Sequence, residues 1–406
     1  LKQVAGRAIT GILGSESPIV TQMAQVVART ASGVWASSKQ MYRFLKNERF
    51  THQEIAEGLY EISHANVMRD RLDYWVVAID PVNLEKPYTE KLESVSTVYK
   101  STPPDRNGKP RLTKGYPCIT ATVVNSRIPA TTYANWFSYT TDFISENVEI
   151  QHAIDATNMR FPDQRLRYVL DAAFDDRRWF AELGGQEFVI RASHLERRVE
   201  VYNDRLKRWE SEALGNLVDV IPFTHTCGVA FTHARKTRIE KIQFGWFRIR
   251  LPDTQQSLWV IVAQQPCKEH PLVLLTNAPL HAFDQVSSVY NDWRLRSRIE
   301  HGYRFDQEQG LDVEDIRVHK LERMKRLFLL VLAAAQFVFY LADTWPPPAI
   351  VWMRSLGGKL HLNNDLDGPY LVLRGISALL KTVATLTHAA IHPFPRHLFA
   401  SSTTYG

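Results

Sequence analysis

The sequence predicts an α/β protein, a mixed sheet with flanking helices and helical regions at both ends of the chain. Three observations predict it. Residues 1–66 carry the apolar spacing of helices, the chain changes at Tyr74 to short β-rich runs mixed with helical stretches, and from about Phe283 it is helical again. With 406 residues, 45% of them hydrophobic, the chain is long enough for two or three units and a sizeable core.

In the first region, VTQMAQVVART, SSKQMYRFLKN and THQEIAEGLYEISHANV read as helices joined by short turns, and Thr51 with Glu54 matches a capping box. Such a unit can present a helix to a DNA groove, or serve as a cap packed on the rest. Residues 67–192 form the next expected unit. Its strands are YWVVAID, PCITATVVNS and PATTYANWFSYT, then RYVLD and EFVIRA, with helices at SENVEIQHAIDATNM and DDRRWFAELGG. Residues 193–282 read as a β-rich insertion containing VDVIPFTH, CGVAFTHARKT, EKIQFGWFRIRL and SLWVIVAQQ. Residues 283–342 are expected to be helical with breaks near Gly302 and Gly310. Residues 343–406 follow, where WPPP interrupts and YLVLRGISALLKTVATLTH forms a last amphipathic helix.

Charge and composition narrow the function classes. A net charge of +6 and a pI near 9.1 suit a polyanionic partner, although 49 basic residues stand against 43 acidic ones. Cys118, Cys227 and Cys267 have no CxxC spacing, which argues against a disulfide framework or zinc site and fits a reducing cytoplasm. The chain starts at Leu1 rather than Met, as one short of a few leading residues would, and its first stretch lacks a signal-type apolar core. The run LFLLVLAAAQFVFYLA is shorter than the roughly 20 residues of a membrane span and contains Gln336, so a buried core helix and no membrane partner are expected.

Three carboxylates fall at the ends of elements. Asp80 closes the apolar run WVVAI before Pro81, which a central strand would not admit. Asp171 closes RYVL in the same way, while Asp175 and Asp176 suit the cap of the next helix. Each aspartate alone also fits an ordinary loop or cap position. Together with a glutamate on a later helix, they would make a set of hard oxygen ligands for divalent cations. Glu300 is the natural third member. On a helix over 293–309, Trp293, Arg296, Glu300 and Gln307 share one face, as a solvated charged face also would.

These pieces resemble the bacterial insertion-sequence transposases of the DDE type, in the group with a Tyr-Arg-Glu-Lys signature. LVLLTN at 272–277 is followed by Trp293, Arg296, Glu300 and Gln307 at the signature's spacing. VVAIDPVNLEKP resembles the first-aspartate strand, and RYVLDAAFDDRRWFAELGGQEFVIRA the second-aspartate strand, helix and strand. The resemblance spans roughly residues 30–340. It implies an RNase H-like fold with a β insertion before the catalytic glutamate, and cut-and-paste DNA transposition with Mg²⁺, for which Mn²⁺ can substitute. Asp80, Asp171 and Glu300 would be the catalytic and metal-binding triad, holding two ions. Arg296 would contact DNA phosphate, with Trp293, Gln307, Arg191 and Arg298 as further DNA contacts. Trp293 replaces the signature tyrosine and Gln307 the lysine, which removes one positive charge.

The expected partner is double-stranded DNA, as transposon ends and as target, bound by a homodimer on paired ends in a bacterial cytoplasm, at the nucleoid. Trp246 and Trp259 of the insertion can either stack on a base or pack on the sheet. HARKTR and GWFRIR read as a phosphate-contacting surface or a solvated strand face. Two alternatives stand beside the active transposase: a domesticated or inactive copy that only binds DNA, and a structure-specific nuclease with the same metal chemistry.

Overall fold

The structure, a computed structural model, describes residues 2–391 apart from 31, 88, 90, 101, 105–107, 142, 234–235, 267, 307–309 and 359–367. Gln307 and Cys267 therefore lie outside the described residues.

Four helices open the chain: α1 (Lys2–Ser15), α2 (Val20–Val27), α3 (Gly33–Lys46) and α4 (His52–Met68). The capping box predicted for α4 is present, with Glu54 accepting the Thr51 N–H at 2.7 Å. These helices share one apolar core with α10 (Leu321–Thr344), α11 (Pro347–Leu356) and α12 (Pro369–Ile391), through residues such as Met23, Leu45, Leu59, Leu327, Val331 and Leu373. Arg326 of α10 reaches across and donates to the carbonyls of Asn47 and Phe50 at 2.6 Å each, just past the C-terminus of α3. The run expected to be a buried core helix is most of α10. At 24 residues α10 is long and apolar enough to cross a bilayer, but most of that apolar surface is packed inside the protein. α12 also reaches such a length and is less buried.

Twelve strands among the described residues join in one mixed sheet. Its centre is β1 (Trp75–Glu85), β5 (Leu166–Leu170) and β6 (Glu187–Arg191), which run parallel. On one side lies β3 (Leu112–Val123), flanked by β2 (Ser96–Tyr99) and β4 (Ala130–Trp136). On the other, β12 (Leu272–Thr276) pairs antiparallel with β6 and leads to β11 (Ser257–Gln264) and β10 (Lys236–Arg250), then to β9 (His225–His233), β7 (Arg198–Asn203) and β8 (Arg208–Ala213). The strands of the 193–282 segment thus extend the central sheet. Alternation divides β1 between two cores. Trp75, Val77 and Ile79 pack with α5 (Glu146–Arg160) and α6 (Arg177–Glu182), while Val76 and Ala78 pack with α8 (Phe283–Arg294) and α9 (Ser297–Arg304).

Three local expectations are corrected. First, β1 does not stop at Asp80 but continues through Pro81 to Glu85. Its pairing with β5 ends at Ala78, whereas its pairing with β3 runs to Glu85. Trp75 donates to Arg165 on the β5 side at 2.9 Å, and Pro81, of the same parity, would direct its missing N–H to that side, which β5 has vacated. Proline is tolerated on such an edge. Second, VDVIPFTH is not a strand: Leu214 and Val218, one helical turn apart, are buried on a short helix, α7 (Leu214–Val220), that ends before Pro222. Third, no single helix covers 293–309. α8 and α9 are separated at Leu295 and Arg296, where tight turns such as Arg296 N–H to Trp293 O at 3.0 Å interrupt the ladder.

Candidate active site

Strand register brings the first two carboxylates together. Ala78 of β1 pairs with Val169 of the parallel β5, so Asp80 and Asp171, each two residues further on, stand level at the carboxyl end of the parallel pair. Binding sites in α/β sheets concentrate at such strand ends. Asp80 shares the parity of Val76 and Ala78 and so belongs to the face covered by α8 and α9. Asp171 caps a single 3₁₀ turn, Ala172–Phe174, accepting the Ala172 N–H at 2.6 Å.

The third carboxylate comes from α9, where Glu300 sits in the first turn, a favourable end of the helix dipole for an acid. Arg296 caps that helix one turn earlier and joins all three groups. Its guanidinium lies 2.5 Å from Glu300 Oε1, 3.7 Å from Asp80 Oδ1 and 4.0 Å from Asp171 Oδ2. Its side chain is only 15% exposed, whereas those of Asp171 and Glu300 are about two-fifths exposed, so the cluster opens to solvent on their side. Burial raises the Asp80 pKa from 3.8 to about 7, with Arg296 opposing the shift and Glu300 and Asp171 adding to it.

Tyr303 is a site residue that the sequence reading did not single out. Its buried hydroxyl donates to the Asp80 carbonyl at 2.8 Å and lies 2.5 Å from the Thr120 hydroxyl, tying α9 to β1 and β3. Burial holds that phenol well above its usual range. The signal was present in the sequence, since residues three apart on a helix share a face, and Tyr303 lies three after Glu300.

The other expected DNA contacts divide. Arg191 is exposed at the end of β6, where the pairing of Leu170 with Ile190 sets it level with Asp171. Trp293 is half-buried against α8's core, and its indole N–H donates to Leu170 O at 3.4 Å, beside Asp171. Arg298 has structural partners. Its guanidinium donates to the carbonyls of Val124, Ser126 (2.8 Å) and Arg127 (3.2 Å), satisfying the turn between β3 and β4. Trp246 packs with His225 and Phe283, their ring centroids 5.1 and 6.2 Å away, and Trp259 lies 6.0 Å from the His281 ring. In GWFRIR, Arg250 is paired with Glu200 at 2.6 Å, while Arg248 is exposed.

A second feature lies on α3, whose exposed side presents Trp35, Lys39, Tyr42, Arg43 and Lys46. The Lys39 ammonium sits 4.9 Å from the Trp35 ring centroid, and α3 contains no acidic residue. A five-residue link separates α3 from the short helix α2.

The donor set suits a hard divalent cation: three carboxylates converge, and one guanidinium leaves their charge under-compensated. As arranged, however, the carboxylates surround Arg296, and among the described residues no group of three or more His, Cys, Asp or Glu is placed to enclose a metal ion. Carboxylates where the parallel pairing of β1 and β5 ends, joined by one from a facing helix, define a class of acidic site on a mixed α/β sheet.

No family model matches the chain, and no curated protein matches it. A solved structure of a piggyBac transposase synaptic complex with hairpin DNA covers 98% of this chain and 75% of its own, at 9% identity and a TM-score of 0.39, too slight a likeness to carry an argument.

Proposed function

We propose that the chain is a DNA transposase of the DDE type, which binds transposon ends, cleaves phosphodiester bonds and joins the 3′-hydroxyl ends to target DNA. The observation that carries the reading is the convergence of Asp80, Asp171 and Glu300 on one guanidinium, from three elements far apart in sequence. The order of sequence pieces around those residues supports it independently. Asp80, Asp171 and Glu300 would hold Mg²⁺ or Mn²⁺. Two such cations, when bound, activate the attacking water or 3′-hydroxyl and stabilise the leaving oxygen.

The chain's own residues do the remainder. Arg296, among the carboxylates, and the exposed Arg191, level with Asp171, offer donors to the scissile and neighbouring phosphates. Tyr303 and Trp293 position the site, fixing α9 on β1 and α8 on the end of β5. The aromatic and basic side of α3 supplies a duplex-binding surface, with Lys39, Arg43 and Lys46 for phosphates.

The test is to incubate the protein with the DNA flanking its coding region and Mg²⁺ and to sequence the products. Asp80→Ala, Asp171→Ala and Glu300→Gln are each expected to abolish cleavage while retaining end binding. Full cleavage by the Glu300 variant would remove the assignment. Because Arg296 fills the centre of the cluster, the specific second reading is a DNA-binding protein without catalysis, and strand transfer by the wild-type protein would exclude it.

A further inference from the structure

We infer that Arg296 is the resident counter-ion of the carboxylate cluster: it holds the place of the divalent cations in their absence, and its release towards a phosphate is coupled to their binding. The inference rests on the metal-binding reading proposed above. Its basis is the employment of one side chain. Among the described residues, the hydrogen bond and ion pairs of the Arg296 guanidinium all go to Asp80, Asp171 and Glu300, and those three carboxylates have no other cationic partner. Lysine would serve less well, because guanidinium is always charged and its fork engages more than one carboxylate together.

The position cannot hold both. A cation that uses the inner oxygens of the three carboxylates must enter the space that the guanidinium occupies, and like charges in a poorly solvated cluster repel strongly. Arg296 has somewhere to go. It sits at the turn between α8 and α9, and the cluster is open on the side of Asp171 and Glu300, where Arg191 is also exposed. A phosphate arriving on that side would engage the displaced guanidinium. By linkage, whatever draws Arg296 outward tightens cation binding, and cation binding frees Arg296 for phosphate. The site would therefore bind cations more weakly until DNA is present, which limits unproductive metal loading.

The apparent cation affinity is lowered by the fraction of molecules in which Arg296 occupies the cluster. The experiment is a Mn²⁺ titration of the full chain without DNA, followed by electron paramagnetic resonance of the free ion. It compares wild type with Arg296→Gln and Arg296→Lys, with thermal unfolding in chelator to verify that each is folded. Arg296→Gln is expected to bind Mn²⁺ about tenfold or more tightly than wild type. Arg296→Lys keeps the charge and is expected to show a smaller gain in the same direction, which preserves the test should the glutamine variant fail to fold. A role confined to stabilising the fold would weaken Mn²⁺ binding instead. Equal or weaker Mn²⁺ binding by a folded variant, with wild type binding measurably, overturns the counter-ion role and leaves the metal-binding reading intact. Absence of Mn²⁺ binding in wild type and both variants overturns the two together.

Discussion

Replacing Asp80 by asparagine should stabilise the cation-free protein, and the gain should grow with pH. Burial is the main cause of the raised Asp80 pKa and the neighbouring Glu300 and Asp171 add to it, so the ionised carboxylate is disfavoured despite Arg296. The value moves from 3.8 to about 7. Across that window the native carboxyl retains a proton that the unfolded chain has released. Stability therefore falls as pH rises from near 4 through about 7, and above that window the full cost is present. That rise corresponds to about 4 kcal/mol, a large share of the stability of an ordinary domain. Asp80→Asn removes the titration while preserving size and a hydrogen-bonding oxygen. Urea unfolding in chelator, followed by circular dichroism, should show the variant near wild type at pH 4 and more stable by up to about 4 kcal/mol at pH 8. Added Mg²⁺ should narrow the gap at pH 8 by stabilising wild type alone. An advantage that does not grow with pH, or a variant less stable than wild type at pH 8, would refute the electrostatic reasoning.

Two further outcomes test the parts around the triad. Tyr303→Phe deletes the hydroxyl between the Asp80 carbonyl and Thr120, and should cost about 1 kcal/mol in unfolding. If Tyr303 positions α9, the same variant lowers kcat for DNA cleavage with KM little changed, whereas a purely structural tyrosine would leave kcat alone. Lys39→Ala with Arg43→Ala should weaken duplex binding and reduce the slope of log affinity against log salt by about 2, one for each phosphate no longer neutralised. Both side chains are exposed, so the unfolding transition should not move, and an unchanged salt slope would remove α3 from the DNA surface.

How much of this was legible in the sequence follows the range of the forces involved. Asp171 was readable because the short apolar stretch Tyr168–Leu170 ends at it, a local signal, and the structure buries the whole strand Leu166–Leu170. Asp80 was readable as a carboxylate beside an apolar run, but the strand's continuation was not. Whether Pro81 is tolerated depends on β5 leaving that edge after Ala78, which no local pattern reports. The break at Leu295–Arg296 was equally hidden. Neither residue is a helix breaker, and the interruption goes with tertiary anchors on either side of it: Trp293 on Leu170, and Arg298 on the carbonyls of Val124 to Arg127. The same anchors explain why Arg298, basic and near the triad in sequence, is turned to the protein instead of to solvent. Charge in a sequence says nothing of which carbonyls will be left needing a donor.

The division of the site between sheet and helix has a mechanical consequence. Asp80 lies within a strand paired over nine positions to β3, and Asp171 directly follows a strand flanked on both edges by parallel neighbours, so neither can shift without disturbing the sheet. Glu300 and Arg296 belong to a helix of eight residues and its cap, tied to the rest through Tyr303 and Arg298. Any rearrangement that admits a cation or a phosphate is therefore expected in α9. The register of β1 and β5 fixes where the chemistry occurs, and the short helix, by holding Arg296 in the cluster or releasing it, sets when the carboxylates are free to take part.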